Sequence, residues 1–241
     1  VIDEGYSKDK YNIYYAGTPI YDVDKSTFQI IMPDYYAKDK NNVYSGSDKI
    51  KDANPDTIKI LNQVYLKDDK NVFLNFGQKI KNADVTTFEV MEENASYGKD
   101  KNNVYYAGYN VVQLQDVDKN SFTIVEDEDF SYDKKNVYYA GRKLNDISPN
   151  GCKVTRLVNR RNIPLNFLND NKNIYKLIDI FDEETGELKS VKTAVVKSPK
   201  VDSKTFEIFS YSENYFRDKT NVYYENELYK MGLKKIEGAD R

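Results

Sequence analysis

Tyr97-Gly98-Lys99-Asp100-Lys101-Asn102-Asn103-Val104-Tyr105-Tyr106 is the stretch from which the fold can be read. Its skeleton is an aromatic, Asp three residues later, Asn three further on, then Val or Ile and a second aromatic. The skeleton returns seven times. The Asn anchors are Asn12, Asn42, Asn71, Asn103, Asn136, Asn173 and Asn221, which lie 30, 29, 32, 33, 37 and 48 residues apart. Three residues before them stand Asp9, Asp39, Asp68, Asp100, Asp133, Asp170 and Asp218. Six residues before stand Tyr6, Tyr36, Tyr65, Tyr97, Phe130, Phe167 and Tyr215. Two residues after stand Tyr14, Tyr44, Phe73, Tyr105, Tyr138, Tyr175 and Tyr223. Self-similarity at a fixed period marks a repeat architecture, so residues 1–241 read as one repeat domain of seven copies.

Elementary turn chemistry explains the phrase. In Asp-x-x-Asn the carboxylate accepts backbone N–H groups of a type I turn, and Asn is expected in the left-handed conformation that closes a bulged hairpin. The two recurring aromatics are expected to face each other, directly or diagonally, across that hairpin. Gly in Ala16-Gly17, Ala107-Gly108 and Ala140-Gly141 marks a second tight turn, leading to a short strand. A further element, Asp24-Lys25-Ser26-Thr27-Phe28, recurs at Asp84–Phe88, Asp118–Phe122 and Asp202–Phe206. Asn54–Ile58 is a variant and Ser148–Cys152 a degraded form. It reads as an Asx or capped turn that delivers a fourth strand.

Each copy therefore reads as about four short antiparallel strands. No sustained 3.6-residue apolar period appears, so the expected class is all-β with almost no α-helix. One small meander cannot bury both faces, so the copies must stack. A β-propeller-like arrangement is favoured by four strands per copy, with an open linear array as the alternative. Val1-Ile2 reads as the stub of a fourth strand and Asp240-Arg241 as the start of a turn element. Those ends fit either a trimmed longer array or a ring closing across the join.

Composition narrows the function classes. Charged residues make up 31% and balance to a net charge of −3, which leaves no basic footprint for nucleic acid. His is absent, removing the commonest general base and zinc ligand. The single Cys, Cys152, excludes an intrachain disulfide and has no His to activate it. No apolar run approaches the roughly 20 residues of a membrane helix. No catalytic, cofactor or metal site is assigned. The seven Asp residues read as turn-builders, and Glu126-Asp127-Glu128-Asp129 lacks the spacing of a calcium loop.

The sixth copy departs most. An insertion runs from about Asp179 to Lys200, with a turn at Asp182-Glu183-Glu184-Thr185-Gly186, and reads as an extended hairpin. Just before it, Lys153, Arg156, Arg160 and Arg161 form a basic cluster. Insertions in repeat arrays map to loops on one face, often the binding face. The partner-binding candidates are therefore Lys153, Arg156, Arg160, Arg161, Asp182, Glu183, Glu184 and Glu187. An additional Tyr at Tyr15, Tyr106, Tyr139 and Tyr224 lies opposite the second repeated aromatic by strand alternation. It serves as core between packed sheets, or as a stacking platform for sugar on an open face.

Asp39-Lys40-Asn41-Asn42-Val43-Tyr44 and Asp100-Lys101-Asn102-Asn103-Val104-Tyr105-Tyr106 resemble the signature of the DKNYY repeat family, seen in bacteria and notably fusobacteria. Asp9–Tyr15, Asp133–Tyr139 and Asp218–Tyr224 fit as well. Asp68-Asp69-Lys70-Asn71 and Asp170-Asn171-Lys172-Asn173 depart from it by losing the Lys after Asp. The resemblance spans essentially the whole chain, carries no activity or functional residue, and implies an exported or surface-associated protein. The expectation is a non-enzymatic scaffold that binds another protein at a bacterial cell surface. A carbohydrate-binding lectin, a hydrolase with a carboxylate pair and an intracellular inhibitor of a macromolecule stay open as alternatives.

Overall fold

The structure, a computed structural model, describes residues 5–108, 111–125, 129–145, 147–150, 153–158, 164–169, 173–181, 188–195, 201–208, 215–224 and 234–236. Every described copy of the phrase folds as a short hairpin. In the second copy Tyr36–Lys38 pairs with Val43–Ser45, with Lys38 opposite Val43 and Asp39 N–H donating to the Asn42 carbonyl at 2.9 Å. The second turn is tighter. Tyr15 pairs with Thr18, leaving Ala16-Gly17 as a two-residue loop with φ of 44° and 81°. Positive φ at both positions is the type I′ geometry that matches strand twist, and Gly supplies the second position without strain.

The strand that follows the Thr-Phe element does not pair within its own copy. Gln29–Met32 hydrogen-bonds to Tyr36–Lys38 and becomes an outer strand of the next sheet, in the order Gln29–Met32, Tyr36–Lys38, Val43–Ser45, Asp48–Lys49. Each four-stranded sheet is thus assembled across the boundary between copies. Among the described residues there are seven antiparallel sheets of three or four strands, none closed into a barrel. The same residues include no α-helix, only a 3-10 turn at Asn75–Gly77.

The chain divides into two compact units, Val1–Leu114 and Gln115–Arg241. In the first, the packing rule between sheets is visible. Tyr6, Ile13 and Ile20 of the first sheet cluster with Ala37 and Tyr44 of the second. Tyr36, Val43 and Ile50 cluster with Leu66 and Phe73 of the third. Tyr65, Val72, Leu74 and Ile80 cluster with Tyr105 and Ala107 of the fourth. The Tyr36 side of one sheet therefore packs on the Phe73 side of the next.

This arrangement corrects the expected aromatic pairing. Tyr6 lies opposite Tyr15, and Ser7 opposite Tyr14. The two recurring aromatics are offset by one residue, so a strand's period of two sends them to opposite faces. They belong to two different cores, one on each side of the sheet. Tyr36, Tyr44, Tyr65, Phe73 and Tyr138 are all fully buried. Burying such a ring contributes roughly 2–3 kcal/mol relative to leaving it exposed, which is why three-residue strands hold together.

The sheet of the sixth copy has a different scale. Lys153–Val158 and Pro164–Asn169 have six residues each, and Ile174–Phe181 and Leu188–Val195 have eight. The last two form one long hairpin, from Tyr175 opposite Val195 to Phe181 opposite Leu188.

Candidate functional site

The repeated Asp is the centre of a hydrogen-bond clasp. In the second copy Asp39 Oδ1 accepts the N–H groups of Asn41 and Asn42, both at 2.7 Å. Its Oδ2 accepts the Tyr44 hydroxyl at 2.7 Å and the N–H of Asp24, which begins the preceding turn element, also at 2.7 Å. The last contact repeats from Asn54 to Asp68, Asp84 to Asp100, Asp118 to Asp133 and Asp202 to Asp218, at 3.0, 2.8, 2.8 and 2.9 Å. One carboxylate therefore closes its own hairpin and ties down the turn that delivers the neighbouring strand.

Asn does not play the expected conformational role. None of Asn12, Asn42, Asn71, Asn103, Asn136 or Asn221 has a positive φ. Its side-chain amide donates instead to the Tyr hydroxyl, at 3.3 Å from Asn42 to Tyr44 and 3.0 Å from Asn103 to Tyr105. The hydroxyl in turn donates to Asp, so Asn, Tyr and Asp form a closed polar chain inside the sheet stack. Just beyond the short third strand, Asp22, Asp52, Asn82 and Asp116 take the left-handed conformation instead.

Electrostatics follow from this geometry. Burial by itself would push the Asp39 carboxyl up; the Asp24 N–H, the Tyr44 hydroxyl and the two loop N–H groups outweigh it and hold Asp39 below the ordinary carboxylate range. Asp100, Asp133 and Asp218 are lowered in the same way, against the same burial. Burial, then the bond to Asp218, pushes the Tyr223 phenol up to about 12. Accepting several donors stabilises a carboxylate more than desolvation penalises it.

A second layer of contacts locks the junctions. The Lys after the repeated Asp pairs with the Asp of the turn element. The pairs are Lys40–Asp24 at 2.6 Å, Lys101–Asp84 at 2.6 Å, Lys134–Asp118 at 2.5 Å and Lys219–Asp202 at 2.9 Å. The turn's Thr or Ser hydroxyl accepts that Lys residue's N–H, as from Lys40 to Thr27 at 3.1 Å and Lys134 to Ser121 at 3.1 Å. At the third copy the residue types are exchanged. Asn54 replaces Asp, Asp69 replaces Lys, and Asp69 Oδ1 accepts the Asn54 amide at 3.1 Å and the Thr57 hydroxyl at 2.7 Å.

Another set of pairs was missed in the sequence: Lys49–Asp22, Lys79–Asp52 and Lys143–Asp116, at 3.4, 2.8 and 3.0 Å. A signal was present, since Asp or Asn stands two residues after Ile20, Ile50, Ile80 and Leu114. Where Asn82 takes the Asp position, Gln113 takes the equivalent Lys position.

The additional tyrosines pair with the first aromatic of their own hairpin. Ring centroids lie 4.9 Å apart for Tyr6–Tyr15, 5.0 Å for Tyr97–Tyr106, 4.8 Å for Phe130–Tyr139 and 5.0 Å for Tyr215–Tyr224. Tyr106 and Tyr139 are buried, and Tyr15 and Tyr224 half-buried. The aromatics most exposed among the described residues are Tyr11, Tyr21 and Phe76, each in a turn or next to one. No group of three or more acidic or Cys side chains is arranged to hold a metal ion among the described residues.

Of the partner-binding candidates, Lys153 and Arg156 lie on the strand Lys153–Val158, whose neighbours place Lys153 opposite Asn169 and Arg156 opposite Asn166. Arg160, Arg161, Asp182, Glu183, Glu184 and Glu187 lie outside the described residues, as do Cys152 and Glu126, Asp127 and Glu128. Lys153 and Arg156 share a four-stranded sheet with the hairpin strands Ile174–Phe181 and Leu188–Val195.

No curated protein and no solved structure was found to match the chain. The model of the DKNYY family matches residues 6–65, 65–116 and 106–240. Together these matches span all seven copies of the phrase, and the chain belongs to the DKNYY family.

Proposed function

We propose that this chain is a non-enzymatic repeat scaffold that binds another protein at a bacterial cell surface through the sheet of its sixth copy. The observation that carries this reading is the break in scale there. The hairpin Ile174–Phe181 with Leu188–Val195 has eight residues per strand, where hairpin strands of the other copies have three or four. Packing of a repeat needs only the short strands, so the added length serves something other than the stack.

The clasp supports the same division of labour. Asp39, Asp100 and Asp133 spend both carboxylate oxygens on turn N–H groups, a Tyr hydroxyl and a neighbouring turn. Such a carboxylate is a structural group. Lys153 and Arg156 stand on the same sheet as the long hairpin, three residues apart and therefore on opposite faces, so either face carries a cation for an acidic region on the partner.

The reading is tested by photocrosslinking on bacterial cells from Ile178 or Val191, each replaced by a photoreactive residue. A covalently trapped protein from these positions, and none from equivalent replacements at Lys59 or Glu89, is expected. Replacement of residues 179–200 by a short turn should leave the thermal transition of the remaining copies in place and abolish the crosslink from Ile178. A partner trapped equally well from Lys59 overturns the assignment to the sixth copy.

A further inference from the structure

The turns that lead into the third and fourth hairpins each hold an asparagine, and they hold it differently. Asn62 and Asn94 both stand three residues before the first aromatic of the hairpin, Tyr65 or Tyr97. Asn62 Oδ1 accepts the N–H groups of Val64 and Tyr65 at 2.9 and 2.7 Å, and its amide nitrogen donates to the Ala95 carbonyl at 3.0 Å. Asn94 Oδ1 accepts the Ser96 N–H at 2.9 Å. Among the described residues no acceptor takes its amide nitrogen. Both are Asx turns. The carboxamide of Asn62 is used at both ends, and that of Asn94 at its oxygen only.

The residue two positions after the asparagine differs as well. It is Val64 in the third copy and Ser96 in the fourth, which makes Asn94-Ala95-Ser96 the one Asn-x-Ser/Thr stretch in the sequence. The backbone of Ser96 is fixed, since its carbonyl accepts the Tyr65 hydroxyl at 2.7 Å and the Ala107 N–H at 2.8 Å. Its hydroxyl makes no hydrogen bond among the described residues. Glu92, Glu93 and Ala95 are exposed, and Asn94 and Ser96 half-buried. The strand Tyr97–Lys99 separates this turn from the clasp of Asp100. The clasp asparagines offer no such group. Asn42 and Asn103 give their amides to the hydroxyls of Tyr44 and Tyr105, the rings that stand two residues after them.

We propose that Asn94 is a modification site, the acceptor of an N-linked glycan that a glycosyltransferase delivers from a sugar carried on a diphosphate. Asn-x-Ser/Thr is the acceptor pattern of that chemistry and belongs on surface loops. In the transfer the bond from Asn94 Nδ2 to the anomeric carbon forms, and the bond from that carbon to the diphosphate oxygen breaks. The diphosphate leaves with the electron pair, and one amide proton goes to a base of the transferase. The turn contributes orientation. The Ser96 N–H holds the carboxamide oxygen, so the nitrogen is the end left to react. The Ser96 hydroxyl, next to the exposed Ala95, is the group by which the transferase registers the acceptor. Glu92 and Glu93 offer carboxylates to cations on the enzyme.

The site belongs to the fourth copy and does not involve the sixth, so this proposal and the functional one fail separately. The test is the mass of the protein isolated from the cells that make it. The tryptic peptide of residues 82–99 should carry a saccharide, and fragmentation should place it on Asn94. Asn94→Gln and Ser96→Ala should each abolish the adduct, and Ser96→Thr should retain it. Ser96→Ala keeps the backbone N–H that Asn94 accepts, so its thermal transition should not move. That variant separates loss of the acceptor from loss of the turn. Two arms identify the carrier with unmodified recombinant chain. Washed membranes of those cells supply a lipid diphosphate, and their soluble extract with UDP-glucose supplies a nucleoside diphosphate; transfer to Asn94 in one of them is expected. A bare peptide from the native protein overturns the proposal. So does an adduct on another residue of that peptide, or one on Asn94 that persists in Ser96→Ala.

Discussion

The junction into the third sheet and the junction into the fourth place the same backbone groups in the same positions with different side chains. Into the fourth, Asp84 pairs with Lys101, and Phe88 packs so tightly on Gly98 that an added Cβ would lie 2.5 Å from its ring. Into the third, Asn54 binds Asp69, and the smaller Ile58 packs against the cluster holding the larger Leu66. In both, the turn N–H still reaches the buried carboxylate, at 2.8 and 3.0 Å. The difference separates what the junction requires from what it merely uses. It requires the carboxylate clasp, one donor–acceptor match and a constant filled volume; it does not require a particular sign of charge or a particular wedge.

Acidification is the broadest way to test the requirement. Asp39, Asp100, Asp133 and Asp218 have folded-state values below the ordinary range. The unfolded chain therefore binds more protons, and the stabilisation is complete above the unfolded value of about 4. It is lost as pH falls through the depressed folded values. A pH series of urea denaturation should show a plateau near neutrality and a decline starting below about pH 5. A flat profile down to pH 2 would mean that the clasp is not a stabilising charge.

A single clasp tests the same point locally. Asp100→Ala strips the partner from two loop N–H groups, the Asp84 N–H and the Tyr105 hydroxyl, and should cost about 3–4 kcal/mol. Asp9→Ala, at an exposed clasp, should cost much less by the same denaturation measurement. Equal losses would break the link between burial and the clasp's contribution.

Volume is next. Gly98→Leu imports the third sheet's side chain beneath Phe88 and should destabilise by about 3 kcal/mol. Adding Phe88→Ile, which imports the matching wedge, should recover at least half of it, read as a double-mutant cycle. Additive losses would show that the two positions do not compensate each other.

The charge exchange should be smaller, because these pairs are exposed. Asn54→Asp sets a carboxylate against Asp69 and should lower stability; Asn54→Asp with Asp69→Lys should restore it. A neutral single variant would sink the charge argument at this junction. Smallest is a gain. Phe73→Tyr adds the hydroxyl that the other copies direct at Asp, and Asp68 Oδ2 is placed to accept it. A stabilisation of about 0.5–1 kcal/mol is expected, and a loss would mean that the third sheet has closed around the missing oxygen.

Much of this was legible in the residues. The spacing of the Asn anchors identified the repeat, and Asp-x-x-Asn identified the turn, because both depend on contacts within about ten residues. The role of Asn103 was misread because a turn template assigns Asn a backbone conformation. Its true partner, the Tyr105 hydroxyl, is two residues away on the returning strand. The Asn54–Asp69 exchange looked like two separate departures from the phrase, since the residues lie far apart along the chain and meet only when one copy docks on the next.

Sequence alone thus determined an all-β chain of repeated hairpins, since local turn chemistry and a period of two require no knowledge of neighbours. It also marked the sixth copy as the place where the pattern breaks. Only the tertiary structure decided that the two recurring aromatics serve different cores, because a one-residue offset in register reverses the face of every side chain. Only it decided that the strand after each Thr-Phe turn belongs to the following sheet, and that one carboxylate holds both together. Strand pairing is a non-local contact, and its partner is selected by which sheet edge and which buried acceptor are still unfilled when the copies pack.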